Sequence, residues 1–187
     1  MTQVQIEPAA AADLPRLVRL EIEAGQLFHT VGLHEVAEHD ATVEELQEPL
    51  AQQRVWLVRR DGDVAGYVVA EVLDGNAHVA QVSVAPRHGR QGIGRALVRH
   101  VEAWGQAAGR PATTLTTFRD VPWNGPYYAG LGYRELPAAA IGPELAATMA
   151  HEASMPGIDA EGRCAMVKPN TRHAADGPPA GERPAGS

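Results

Sequence analysis

The chain has 187 residues, 44% of them apolar and 21% charged, with a formal net charge of −7; this suits one soluble domain with a sizeable core. The negative balance leaves a nucleic-acid partner without electrostatic footing, and the densest Arg/His cluster, Arg87 to Arg99, is local and suits a small anion. Cys164 is the single cysteine, which excludes an intramolecular disulfide and a multi-cysteine metal site. No apolar stretch approaches the roughly 20 residues that cross a bilayer, and the opening Met1-Thr2-Gln3-Val4 has no basic region followed by an apolar run. The expectation is a cytoplasmic protein with no membrane partner.

In chain order, Val4-Gln5-Ile6 is a short strand candidate. Asp13 is placed to cap a helix that tolerates Pro15 in its first turn, and Leu17, Leu20, Ala24, Leu27 and Phe28 recur at helical spacing toward a core. Residues 30 to 40 show no clear pattern. Thr42-Val43-Glu44-Glu45 reads as a capping box opening a second helix that ends near Ala51. Three strands follow: Val55 to Val58, Val64 to Leu73 and His78 to Val84, separated by turns at Asp61-Gly62 and Asp74-Gly75-Asn76. A basic loop, Arg87 to Gly94, runs into a helix with Ile93, Leu97, Val101 and Trp104 on one face and Arg95, Arg99, Glu102 and Gln106 on the other. Gly109 and Pro111 end it.

Thr113 to Phe118 is a β-branched run and therefore a strand; a short helix over Tyr127 to Leu131 and a strand from Gly132 to Glu135 come next. Residues 141 to 153 read as a helix, and Cys164 to Val167 as the last strand. The order β-α-α-β-β-β-α-β-α-β-α-β defines a mixed α/β (α+β) domain over 1–168. From 169 to 187, Pro, Gly and Ala without periodicity predict a disordered tail.

The segment from Val82 to Leu97 carries most of the chemical information. A strand, Val82-Ser83-Val84, feeds the turn Gly89-Arg90-Gln91-Gly92, which opens a helix at Ile93-Gly94-Arg95. The first amides of a helix lack intrahelical acceptors and carry the positive end of its dipole, so this arrangement suits phosphate or pyrophosphate. It is neither the dinucleotide fingerprint Gly-x-Gly-x-x-Gly nor a P-loop with its lysine. With the strand and the arginines, the loop resembles motif A of the GNAT superfamily, Gln/Arg-x-x-Gly-x-Gly/Ala. Gly92 and Gly94 match that motif, whereas Gly89 replaces its Gln or Arg. Downstream, Asn124 and the run Tyr128-x-x-x-Gly132-Tyr133 resemble the family's motif B, and the Pro-Trp-Asn-x-Pro form is similar to one bacterial branch. The resemblance covers residues 3 to 168. It implies a mixed central sheet of six to seven strands flanked by about four helices, with acetyl-CoA as cosubstrate. The cofactor site it implies comprises Val82, Ser83, Val84, Gly89, Arg90, Gln91, Gly92, Ile93, Gly94, Arg95, Asn124 and Tyr128.

The implied reaction is attack of a primary amine, on a small molecule or peptide, on the acetyl thioester. An alkylamine with a pKa near 10 is deprotonated in only about one molecule in a thousand at pH 7, which costs roughly 4 kcal/mol. A base or water chain must remove that proton, backbone amides around Val82 to Val84 are candidates to stabilise the oxyanion, and the departing thiolate needs an acid. By the resemblance, Tyr128 is that acid, while Tyr127 is structural. Many family members carry an acid on the strand before the loop, where this chain has Ala80 and Gln81. Glu71, on the strand face of Tyr67, Val69 and Leu73, is either a functional carboxylate or a solvated edge charge. His78 is open in the same way, with a surface strand residue the preferred reading. Glu21, Glu23, Glu35 and His39 read as helix-surface charges in the acceptor region. Trp56, Trp104 and Cys164 read as core, Trp123 as loop packing or pocket lining, and His29, His34 and His39 as no metal site. The acidic N-terminal helices favour a cationic acceptor, and family members often form dimers. A catalytically silent acetyl-CoA-binding sensor is the alternative that the missing acid supports. A protein binding ATP or NAD through the loop ranks last.

Overall fold

The computed structural model describes residues 4–39 and 41–170; residues 171–187 of the expected tail lie outside the described residues. Among the described residues seven strands form one sheet: β1 (Glu7–Pro8), β2 (Val55–Arg60), β3 (Asp63–Leu73), β4 (Asn76–Val84), β5 (Ala112–Phe118), β6 (Arg134–Glu135) and β7 (Arg163–Pro169). Their order is β1-β2-β3-β4-β5-β7-β6. Six α-helices accompany them among the described residues: α1 (Leu14–Gly25), α2 (His34–Ala37), α3 (Val43–Ala51), α4 (Ile93–Ala107), α5 (Gly125–Gly130) and α6 (Pro143–Ala153). The excess over about four comes from α2 and α5, which have four and six residues.

Every neighbouring pair in the sheet is antiparallel except β4 with β5. The crossover that makes this pair parallel is α4, as a parallel connection requires. Ile93, Leu97, Val98 and Val101 of α4 are buried on one face of the sheet, with Val58, Val68, Ala70 and Leu115. On the opposite face Leu14, Leu17 and Leu20 of α1 and Leu46 of α3 pack on Val55, Leu57, Tyr67 and Val69. The alternation of strand side chains thus supplies two cores, one per face.

Several local expectations shift. The first strand forms at Glu7–Pro8 and not at 4–6. Asp13 does not cap α1 with its side chain; its Oδ2 accepts the upstream Ala10 N–H at 2.9 Å, closing a short 3-10 turn before the helix. Leu27 is 47% exposed, because α1 ends at Gly25 and the chain tightens into a 3-10 helix over Gln26–Val31, which breaks the helical period. Glu45 accepts the Thr42 N–H at 2.9 Å, as the capping box predicts.

The turn between β3 and β4 anchors α6. Both Asp74 carboxylate oxygens accept amides at the α6 N-terminus, from Glu144 and Leu145, each at 3.0 Å. Glu144 returns the contact by accepting the Asp74 N–H. This is helix capping supplied from another element, satisfying donors the helix itself leaves open. Replacement Asp74→Ala is expected to lower stability by about 1–2 kcal/mol; urea unfolding should show a lower midpoint with an unchanged slope.

Candidate active site

The site is built where β4 and β5 part. Their parallel ladder holds only three pairs, Ala77↔Thr113, His78↔Thr114 and Val79↔Leu115. In the β3–β4 ladder, Val69 faces Gln81 while Ala70 faces Val79, so Ala80 is an extra residue on β4. A bulge adds local twist and bends its strand, and this one follows the last β4–β5 pair directly. Beyond it β4 stays on β3 as far as Val84 and β5 stays on β7 as far as Phe118. The result is a wedge-shaped opening. Gln81 to Val84 line one wall with backbone groups that β5 leaves unpaired.

At the end of the β4 arm lies the glycine-bearing loop that opens α4. Gly92 caps α4 at φ 78°, and Arg90 takes φ 59°. The left-handed region is costly for a side chain and open to glycine, so glycine is favoured at position 92. The first α4 bond runs from Ala96 N–H to the Gly92 carbonyl at 3.0 Å, so the amides of Ile93, Gly94 and Arg95 precede the helical ladder. Arg90, Arg95 and Arg99 are exposed and form no ion pair among the described residues. Arg87 is committed elsewhere: its guanidinium meets Asp63 at 2.6 Å. Arg16 meets the same carboxylate at 2.8 Å, and the two together hold the Asp63 carboxyl well below its usual range. Gly89 lies beside the loop in an extended conformation.

On the β5 side, Asn124 and Tyr128 come together through α5. Asn124 Oδ1 accepts the Thr117 hydroxyl at 2.8 Å, and the Asn124 carbonyl accepts the Tyr128 N–H at 2.9 Å. Gly125 makes this turn feasible, since a Cβ there would collide with the Arg119 carbonyl. Tyr128 is 9% exposed and packs edge-on to Tyr127 and Tyr133, with ring centroids 5.3 and 6.0 Å away. Burial raises its pKa well above the ordinary phenol value, with Tyr127 adding and Arg163 opposing. Tyr128 is therefore a protonated phenol at neutral pH.

The other face of the opening, under α1 and α6, is polar and acidic. Glu71 is half-buried on the face of Tyr67 and Val69; burial raises its carboxyl, Arg54 opposes this, and Glu48 and Glu152 add to it. It pairs across the ladder with His78, beside the closed stretch of β4. Glu152 of α6 accepts Arg163 at 2.7 Å and the Thr116 hydroxyl at 2.6 Å. Arg163 also lies 4.7 Å from the Phe118 ring centroid. Phe28 packs nearby, with ring centroids 5.4 Å from Phe118 and 5.9 Å from Trp123. Glu23 pairs with Arg16 at 3.1 Å, and Glu35 and His39 are exposed. Glu21 differs from these surface charges: it reaches the buried Tyr67 hydroxyl. Neither Tyr67 nor the Glu152–Arg163–Thr116 cluster stood out in the sequence. The one available signal was a tyrosine inside an otherwise apolar strand. Among the described residues no three His, Cys, Asp or Glu side chains converge as a metal would need.

The sequence model of the Acetyltransferase (GNAT) family matches residues 20–133. The chain belongs to the GNAT acetyltransferase family, and it is an acyltransferase. Solved structures share the fold at low identity. The ribosomal-protein-S18-alanine N-acetyltransferase of Escherichia coli aligns at 16% identity and TM-score 0.64, covering 93% of this chain and 98% of that one. The PaiA N-acetyltransferase of Thermoplasma acidophilum, solved with coenzyme A, aligns at 13% identity and TM-score 0.67, covering 90% and 99%. N-acetylglutamate synthase of Neisseria gonorrhoeae, solved with coenzyme A and N-acetyl-glutamate, aligns at 16% and TM-score 0.68, covering 92% of this chain and 36% of that one. No described helix is long and apolar enough to cross a membrane.

His78 corrects the expectation of a surface residue. It is 1% exposed, and its Nδ1 lies 2.9 Å from the Thr114 hydroxyl, because β5 and the helices cover that face. Burial pushes its pKa from 6.5 down to about 4. The unfolded chain therefore binds a proton between those values that the folded chain refuses. Stability from this residue is full above pH 6.5 and falls as pH drops toward 4, by about 3 kcal/mol in all. Urea unfolding from pH 7.5 to 4 should show a steeper loss in the wild type than in His78→Gln.

Proposed function

We propose that the chain is a cytoplasmic N-acetyltransferase that moves an acetyl group from acetyl-CoA to a primary amine of a small molecule or peptide, by direct attack within a ternary complex. The observation that carries this reading is the β4–β5 opening, with an anion-binding loop at one end and the buried Tyr128 phenol on its α5 side. The residues fit the donor. Helix amides at Ile93, Gly94 and Arg95, with the Gly89–Gly92 turn and with Arg90 and Arg95, which form no ion pair among the described residues, suit a pyrophosphate. The free β4 edge at Val82 to Val84 suits an amide-bearing pantetheine arm, as added strand-like hydrogen bonds do at other open sheet edges. The Thr117 bond fixes Asn124 Oδ1 as an acceptor, which leaves its amide N–H groups for the same arm.

When bound, acetyl-CoA supplies an activated acyl group. Backbone amides along Val82 to Val84 meet the negative charge that develops on the acetyl oxygen in this reading. Tyr128, kept neutral by burial, donates its proton to the departing sulfur. The amine enters on the α1 and α6 face, where Glu21, Glu71 and Glu152 favour a cationic acceptor.

Tyr128→Phe should keep acetyl-CoA affinity by calorimetry and lower turnover by about ten-fold or more; unchanged turnover removes Tyr128 from the reaction. Gly92→Glu sets bulk and negative charge against the pyrophosphate, and binding should be lost; wild-type affinity in that variant contradicts the loop assignment. Thiol release across polyamines, amino acids, aminoglycosides and peptides identifies the acceptor.

A further inference from the structure

β4 has no carboxylate at Ala80, but one stands near the same arm on a different element. Tyr67, fully buried in the middle of β3, donates its hydroxyl to Glu21 of α1. Ser83 and Gln81 lie close enough to the Tyr67 phenol to offset part of the rise that burial gives its pKa, and Gln81 Nε2 donates to Ser83 Oγ at 3.0 Å. Register fixes where this network lies. Tyr67 faces Ser83 and Val69 faces Gln81, so the network runs along the β4 arm that β5 has left. Glu71, facing His78, lies beside the arm that is still closed. Glu21 is half-buried, and its Oε1 has no hydrogen-bond partner among the described residues. One oxygen is thus held by Tyr67 and the other is left to accept.

We propose that Glu21, oriented by Tyr67, is the group that takes the proton from the acceptor amine. This rests on the acetyltransferase reading above. The ammonium gives one proton to the Glu21 carboxylate, the freed nitrogen pair forms the C–N bond, and the C–S bond breaks. The thiolate takes the Tyr128 phenolic proton. Tyr128 recovers a proton from the acylated nitrogen, and Glu21 releases its own to solvent, so one proton leaves per turnover. The groups facing Glu21 are Tyr67 from β3, Glu45 from α3 and His39 from the α2–α3 connection. Burial is the largest influence and raises the carboxyl, Tyr67 and His39 lower it, and Glu45 raises it. The net rise brings the base closer to the ammonium it must deprotonate.

The test compares wild type and Glu21→Gln with two acceptors: the alkylamine found by the thiol-release panel, and its β,β,β-trifluorinated analogue, whose ammonium form is scarce at neutral pH. The Gln variant keeps an oxygen for the Tyr67 hydroxyl. Its kcat/KM at pH 7 should fall on the order of 100-fold for the alkylamine and only a few-fold for the fluorinated amine, with acetyl-CoA affinity unchanged. Tyr67→Phe, which removes a bond that lowers the Glu21 carboxyl, should move the acid limb of the alkylamine pH profile upward. Equal losses for both amines make Glu21 structural and overturn the proposal, as does wild-type activity in Glu21→Gln. A wild type that binds no acetyl-CoA, or transfers to no amine, contradicts the acetyltransferase reading instead.

Discussion

The structure turns on one break in one ladder. β4 and β5 pair over three residues and then separate at Ala80, where an extra residue bends β4 away. Separation of strands inside a sheet leaves backbone groups unpaired, so it persists only where each strand is held on its other side. β3 holds β4 and β7 holds β5 along the full length of the gap. The exposed residue that the sequence offers in place of an acid is thus the one that creates the opening.

The opening has two unlike faces. On one, α4 and α5 bring helix amides, Asn124 and a buried phenol; on the other, α1 and α6 bring carboxylates. Positive and negative sites are thereby separated by the sheet, which suits an anionic donor and a cationic acceptor meeting at its middle. The placement of α6 depends on Asp74 at the far end of the sheet, since that cap sets where Glu152 meets Thr116 and Arg163. Burial then sets the protonation of the site: Tyr128 is held as a phenol, and the carboxyls of Glu21 and Glu71 are raised.

Much of this was legible in the sequence where chemistry is local. Val82 to Leu97 announced a strand, a glycine turn and an amphipathic helix, because Gly92 and the Ile93/Leu97/Val101 spacing each have one structural use. Asn124, Tyr128 and Gly132 were legible as a second motif. What stayed hidden depends on register and on contacts distant in sequence. Glu21 looked like any helix charge, since nothing near it reveals Tyr67, 46 residues away. His78 looked exposed because the face it occupies is covered only once β5 brings Thr114 beside it. Leu27 followed the helical period, but α1 stops two residues earlier.

The central claim is that the β4–β5 opening holds acetyl-CoA. Amide NMR shifts during an acetyl-CoA titration test it most directly. One equivalent should move the amides of Gly92 to Arg95 together with those of Val82 to Val84 and leave β1 and β2 unaffected. Shifts confined to other surfaces, or no shifts at all, would contradict it.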